Sequence, residues 1–188
     1  GISMDDEGWE VVCVDSLLTG RTENLSSAMA NDRFSLHEAD ITRGLDIEGP
    51  LDWVFHFASP ASPLDYLAHP IETLEVGALG SLRCLRLAQG KGAGLFLAST
   101  SEVYGKNSVG PLSEDSDRVL GSPFKSRWSY ATAKAFGEAL ASSYARERGS
   151  PMLVVRLFNT VGPRQTGAYG MVLPRLVGQA LANEDLTV

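Results

Sequence analysis

The sequence predicts an α/β domain built on a doubly wound parallel sheet, and three observations carry that expectation. Short β-rich runs alternate with helical patterns along the whole chain, and such alternation calls for parallel strands joined by right-handed crossovers. Two runs, Trp53-Val-Phe-His-Phe57 and Leu95-Phe-Leu-Ala98, are almost continuously apolar, as strands covered on both faces are. The residues with chemical reach (Asp15, Asp40, Ala58 to Pro63, Ser99 to Glu102 and Asn159) fall just after the β-rich runs. Sheets of this class bind ligands there, beyond the carboxyl ends of their strands. With 188 residues, 44% hydrophobic and 21% charged, the chain suits a single domain over 1–188 with a sizeable core.

The elements follow in order. Trp9-Glu-Val-Val-Cys-Val14 is a strand ending at Asp15, and the polar stretch ahead of it is too short for an earlier one. A loop and weak helix occupy 16–31. Phe34-Ser-Leu-His-Glu38 alternates as a half-buried strand does and ends at Asp40 and Ile41. The strand at 53–57 runs into Ala58-Ser-Pro-Ala-Ser-Pro63, and a helix over 70–89 places Ile71, Leu74, Ala78, Leu82 and Leu85 on one stripe, with Pro70 in its first turn. Leu95 to Ala98 is closed by Ser99-Thr-Ser-Glu-Val-Tyr-Gly105. A long polar loop leads to Trp128, and a helix from Tyr130 runs to about Arg148, where Gly149 stops it. Met152-Leu-Val-Val-Arg-Leu157 is the last strong strand, followed by Phe158-Asn-Thr-Val-Gly-Pro163 and a helix near 171–182.

A nucleotide-binding sheet of this kind opens with a strand and a glycine-rich turn into a helix, and this chain has neither. Gly90-Lys-Gly-Ala-Gly94 imitates the turn but follows a helix and precedes a strand, so it reads as a helix stop. The absent strand is central in such sheets, so the sheet is expected to split.

Tyr130 and Lys134 share one face of their helix. A phenol ionises near pH ~10, and a neighbouring cation favours the phenolate, giving a base that takes a proton from a hydroxyl while a nicotinamide accepts hydride from the same carbon. The formal charge of −7 argues against a nucleic-acid surface. Cys13 and Cys84 read as buried thiols, and no CxxC or paired Cys/His spacing suggests a metal. His37, His56 and His69 share no short spacing, and His56 reads as a satisfied core residue. No apolar run approaches 18 residues, so a cytoplasmic protein off the membrane is the expectation.

Ser99-Thr-Ser-Glu-Val-Tyr-Gly105, Tyr130 with Lys134, and Arg156-Leu-Phe-Asn-Thr-Val-Gly-Pro-Arg164 together resemble the extended short-chain dehydrogenases/reductases. The likeness is to their NAD-dependent nucleotide-sugar epimerase, dehydratase and decarboxylase group. It runs from about residue 8 to 188, both ends of the usual subunit lying outside. It implies a Rossmann-like fold without the usual first strand and Gly-rich loop, with 158–188 starting the substrate-binding portion. It further implies Tyr130 as base, Lys134 as its partner on the nicotinamide ribose, and Thr100 as the hydroxyl bonding the sugar oxygen. Asp15, Asp40, Ile41, Phe57 and Ala58 resemble NAD contacts. Pro60, Ser62, Tyr66, Asn159 and Arg164 resemble contacts to a UDP-sugar.

Where sugar dehydratases carry a Thr-Asp-Glu-like tripeptide, this chain has Thr100-Ser101-Glu102. With Ala58-Ser-Pro-Ala-Ser-Pro63, that resembles UDP-glucuronate decarboxylases, implying decarboxylation to a UDP-pentose through a 4-keto sugar. Ser101 would bond the sugar and Glu102 would position or relay a proton. A UDP-sugar 4-epimerase and a truncated non-catalytic domain are the alternatives. Asp15 and Glu102 also read as turn and loop acids, and Arg164 and Arg175 as a diphosphate clamp, as helix caps or as solvated cations. Gly77 stands where many relatives have Asn. The resemblance also implies a homodimer joined through helices 71–89 and 130–148.

Overall fold

The computed structural model describes residues 8–162 and 172–187. Its strands pair only in parallel and form two separate sheets. β1 (Val11–Asp15) pairs with β2 (Phe34–Glu38), while β3 (Trp53–His56), β4 (Gly94–Thr100) and β5 (Met152–Leu157) form the other sheet in that order. This is the expected split. Among the described residues no strand lies between β1 and β3, so one edge of each lacks a ladder partner.

Short α1 (Ser26–Met29) follows a 3-10 turn at Thr22–Leu25, in place of the weak helix expected over 16–31. α2 (Pro63–Ala68) was not expected. Ser62 caps it, its hydroxyl accepting from the Asp65 N–H (3.1 Å) and donating to Asp65 Oδ2 (2.7 Å), with Pro63 in the first turn. α3 (Pro70–Glu75), a π turn (Val76–Gly80) and α4 (Ser81–Lys91) together make the helix expected over 70–89. α5 (Ser129–Arg148) and α6 (Val172–Leu181) lie where the sequence places them. α4 and α5 stop at Gly92 (φ +67) and Gly149 (φ +65), left-handed positions that glycine adopts without strain.

The apolar stripe needs correction. Ile71 and Leu74 are 66% and 43% exposed, whereas Leu85 is fully buried. The buried face of α3 and the π turn runs through Thr73, Val76, Gly77 and Gly80, and that of α4 through Ser81, Cys84, Leu85 and Ala88. A π turn inserts a residue into the helical count and rotates the face by about 100°. Leu85, beyond it, is in phase with the core and Leu82 only partly buried; Ile71 and Leu74, before it, are exposed. Gly77 allows the closest approach of this helix to α5, since a Cβ there would fall 2.5 Å from the Ala133 Cβ. The wider side chain of asparagine has no room at that position.

One core forms between the larger sheet and its helices, around Leu95, Leu97, Val76, Cys84, Leu85, Ala88, Ala141 and Ile41. Double-sided burial of the sheet is not observed. The opposite face of β3 and β4 carries Trp53, Phe55, Phe57 and Phe96 in a ladder of ring contacts, and the first three are 40%, 45% and 54% exposed. Nothing among the described residues packs over them, because the covering helices all lie on the other face.

Candidate active site

The site lies where β4 ends against the first turns of α5. Ser99 and Thr100 close β4 at 3% and 8% exposure, and Thr100 caps a 3-10 turn, Ser101–Tyr104, accepting the Glu102 N–H at 3.2 Å. A 3-10 turn at Ser126–Trp128 leads into α5, which points Tyr130 and Lys134 inward, both nearly buried. The Thr100 hydroxyl is within hydrogen-bonding reach of the Tyr130 phenol. Tyr66 of α2 stacks flat on Tyr130, ring centroids 5.1 Å apart and planes 2° from parallel. Segments distant in sequence thus bring Thr100, Ser101, Glu102, Tyr130, Lys134 and Tyr66 together.

The electrostatics differ from the sequence expectation. Burial, then the Glu102 charge, pushes the Tyr130 phenol up to about 12 against the Thr100 hydrogen bond, and burial brings Lys134 down to about 8. Lys134 does not lower Tyr130 here. Its Nζ donates to the Ala98 carbonyl (2.8 Å) and stands 5.8 Å from the Tyr130 ring centroid, so desolvation dominates both groups.

A test of Lys134 follows. In unfolded chain its ammonium titrates near pH ~10.4, so between pH 8 and 10 the unfolded state binds a proton that the folded state lacks, and stability rises with pH. The rise is expected to reach about 3 kcal/mol. Above pH 10 the raised Tyr130 phenol works in the opposite direction. Urea titrations from pH 7 to 10 should show the rise in wild type and its loss in Lys134→Met; an unchanged slope in the variant would assign it to other groups.

Glu102 is half-buried. Burial raises its carboxyl, against the Arg127 charge and a Tyr66 hydrogen bond. Tyr66 is fully buried, and its Oη lies near both Glu102 and Arg127 with no partner in full hydrogen-bond geometry. Arg127 lies on the turn before α5, where no sequence pattern singles it out. Glu138 carries a sequence signal, since Tyr130, Lys134 and Glu138 recur at four-residue spacing on one helix face, whereas nothing in the sequence pairs it with Arg156.

The other expected positions are more scattered. Asp15 ends β1 and accepts the Leu17 N–H at 2.7 Å. Asp40 accepts from the Thr42 N–H (2.8 Å) and hydroxyl (2.7 Å), so both acids already close turns. Ile41 belongs to the core beside Gly80, Phe57 is exposed, Ala58 half-buried and Pro60 buried. Ser62 is occupied as the α2 cap, Asn159 is exposed, and Arg164 lies outside the described residues. Arg175 donates to the Thr187 carbonyl at 2.9 Å.

Cys84 is buried and Cys13 only partly so. His56 is a core residue: it bonds Ser81 Oγ through Nε2 (3.1 Å), and a hydrogen bond with the Val76 backbone opposes the lowering of its pKa by burial, although Nδ1 has no partner in full hydrogen-bond geometry. No group of three metal-ligating side chains, and no helix long and apolar enough to cross a membrane, is present among the described residues.

A parallel α/β framework with a buried Tyr–Lys pair at the carboxyl end of a central strand defines a protein of the short-chain dehydrogenase/reductase kind. The NAD dependent epimerase/dehydratase family model matches residues 3–188, and the chain belongs to that family. UDP-glucuronic acid decarboxylase 1 of Xenopus tropicalis is 40% identical over 182 residues, covering 97% of this chain and 42% of the relative. UDP-glucuronic acid decarboxylase 3 of Arabidopsis thaliana is 38% identical, covering 98% and 53%. The chain thus spans about half the length of the curated relatives it matches. Among solved structures, the UDP-glucuronic acid 4-epimerase of Bacillus cereus in complex with NAD superposes with a TM-score of 0.74 at 27% identity, over 98% of this chain and 59% of that one. The UDP-N-acetylglucosamine 4-epimerase of Methanobrevibacter ruminantium M1 gives 0.76 at 27%, over 94% and 56%.

Proposed function

We propose that this chain carries the reacting centre of an NAD-dependent UDP-glucuronate decarboxylase forming a UDP-pentose through a 4-keto sugar. The observation that carries the reading is Glu102, a half-buried carboxyl on the 3-10 turn that Thr100 caps, beside the first turns of α5 that bear Tyr130. Relatives with the decarboxylase name support it.

The side chains at one end suit NAD: Tyr130 and Lys134, side by side at the end of β4, would hold a nicotinamide ribose, and Asp15, Asp40, Ile41, Phe57 and Ala58 would meet the rest at the strand ends. No glycine-rich turn for the pyrophosphate is found among the described residues. Held there, NAD would supply the acceptor, and later the donor, of the C4 hydride of the sugar.

Thr100 would hold the C4 oxygen while Tyr130 takes its proton. The resulting ketone is β to the C5 carboxylate, so the C5–carboxylate bond can break with its electron pair passing into an enolate. Glu102 would return a proton to C5 directly or through water, and Tyr130 would return one to O4 as the hydride comes back. Protonated Lys134 would favour the Tyr130 phenolate on turning from Ala98, and Ser101 would bond the sugar. Tyr66, whose buried hydroxyl lacks an aligned partner, would meet the sugar. Pro60, Ser62, Asn159 and Arg164 complete the substrate contacts in the same proposal, and residues from about 158 onward open the substrate-binding portion.

A UDP-sugar 4-epimerase is the second reading, favoured by the likeness to the Bacillus cereus enzyme. Incubating the full-length protein with UDP-glucuronate and NAD separates the two. Carbon dioxide and a UDP-pentose without net NADH are expected. UDP-galacturonate with its carboxylate retained would establish the epimerase instead.

A homodimer in the cytoplasm belongs to the same proposal. Ile71, Leu74 and Leu79 on the α3–α4 helix and Phe136 on α5 are 66%, 43%, 45% and 50% exposed, an apolar surface that a second copy would bury. Light scattering at micromolar concentration should give twice the chain mass, and a monomer would count against the pairing.

A further inference from the structure

Glu138 stands one helical turn beyond Lys134 on the inward face of α5, and two strands hold it at once. From β4, the Ser99 hydroxyl donates to Glu138 Oε1. From β5, Arg156 donates through Nε to Oε1 (2.9 Å) and through Nη2 to Oε2 (2.7 Å), and the two side chains are only 14% and 16% exposed. Arg156 Nη1 donates to the Glu114 carbonyl in the long loop (3.0 Å). The guanidinium carbon lies 4.8 Å from the ring centroid of Tyr104, the last residue of the turn that carries Ser101 and Glu102. Burial pushes the Glu138 carboxyl up, but the Arg156 and Ser99 hydrogen bonds and the Arg156 and Arg118 charges bring it below the usual range.

Each anchored residue adjoins part of the site. Ser99 precedes Thr100 on β4, Glu138 follows Tyr130 and Lys134 on α5, and Tyr104 ends the Glu102 turn. Lys134 takes no part in this pairing; its ammonium donates to Ala98. A forked Arg–carboxylate bond fixes orientation as well as distance, so the network restrains both the slide of β4 along α5 and the rotation of α5. A half-buried ion pair is weak evidence of a purely stabilising role, since its desolvation offsets much of its attraction.

We propose that Glu138 and Arg156 are positioning residues, their ion pair with the Ser99 hydroxyl setting the separation of the Thr100 and Tyr130 hydroxyls. The proposal rests on the reading that those two hydroxyls act on one sugar oxygen. Misplacing reacting groups by about 1 Å costs on the order of 10²-fold in rate.

Glu138→Gln keeps the shape of the side chain and removes its charge, while Arg156→Lys keeps the charge and removes the fork. In the full-length protein, Glu138→Gln should lower kcat per folded molecule by roughly 10- to 100-fold, with KM for UDP-glucuronate unchanged, and Arg156→Lys should fall between it and wild type. Crystals of Glu138→Gln should show the Thr100 and Tyr130 hydroxyls further apart by about 1 Å. A lower Tm with kcat per folded molecule and hydroxyl separation both unchanged would reduce the pair to a brace and overturn the proposal. Should wild type turn over no nucleotide sugar, the functional reading fails by itself, and the hydroxyl separation in the crystals decides the positioning role.

Discussion

Tyr130→Phe in the full-length protein is expected to lower turnover of UDP-glucuronate by on the order of 10²- to 10⁴-fold, the loss typical of a removed general base. The substitution is chemically narrow. Phenylalanine keeps the ring that stacks on Tyr66 at 5.1 Å, so α2 and α5 keep their contact and the fold is expected to persist. What disappears is the hydroxyl that lies within reach of Thr100 and would accept the proton of the C4 hydroxyl. Burial holds that phenol at about 12, so the wild-type rate of C4 oxidation, the step in which Tyr130 takes the proton, should rise with pH as the phenolate becomes accessible. The residual rate of Tyr130→Phe should lack this dependence. Single-turnover rates against pH, beside a circular dichroism melt of each protein, make the check. Wild-type rates in a folded Tyr130→Phe would remove Tyr130 from proton transfer.

Much of this framework is legible in the sequence because its strands carry continuous apolar runs, although one face of the larger sheet stays partly exposed. Trp53 to Phe57, Leu95 to Ala98 and Met152 to Leu157 mark one sheet, and among the described residues no strand joins it to β1 and β2. The Tyr130–Lys134 spacing also places both groups correctly, since i and i+4 share a helix face whatever the tertiary context. What sequence spacing cannot convey is where a side chain finds its partner. Lys134 satisfies the Ala98 carbonyl, a contact made only once β4 lies under α5, and desolvation then sets the Tyr130 phenol against the expected direction.

The π turn at Val76–Gly80 leaves no period in the sequence and moves Ile71 and Leu74 out of the core. α2 had a visible signal in Ser62-Pro63 followed by Asp65, a capping pattern overshadowed by the prolines around it. Tyr66 and Tyr130 are 64 positions apart in the sequence, and their stack depends on how α2 folds back. For Glu138 the four-residue repeat was visible, whereas its Arg156 clamp was not.

Glu102→Gln should cut steady-state carbon dioxide release by on the order of 10²-fold or more, because the enolate left at C5 waits for its proton, while leaving oxidation at C4 in place, so that an unreduced keto sugar accumulates with NADH. Glutamine matches glutamate in size and still faces Tyr66 and Arg127, so the substitution tests proton supply rather than packing. The acid form of Glu102 is the active one in this scheme, and its activity is therefore lost as pH rises through its pKa. Burial raises that pKa and the Arg127 charge lowers it; Arg127→Met, by removing the cation, should move the alkaline limb of decarboxylation to higher pH. Radiolabelled carboxylate release against pH in wild type, Glu102→Gln and Arg127→Met reads all three. Unchanged release in Glu102→Gln would return Glu102 to the status of a turn acid. An alkaline limb that stays put in Arg127→Met would assign that limb to another group, with Lys134, buried and brought down to about 8, as the first to examine.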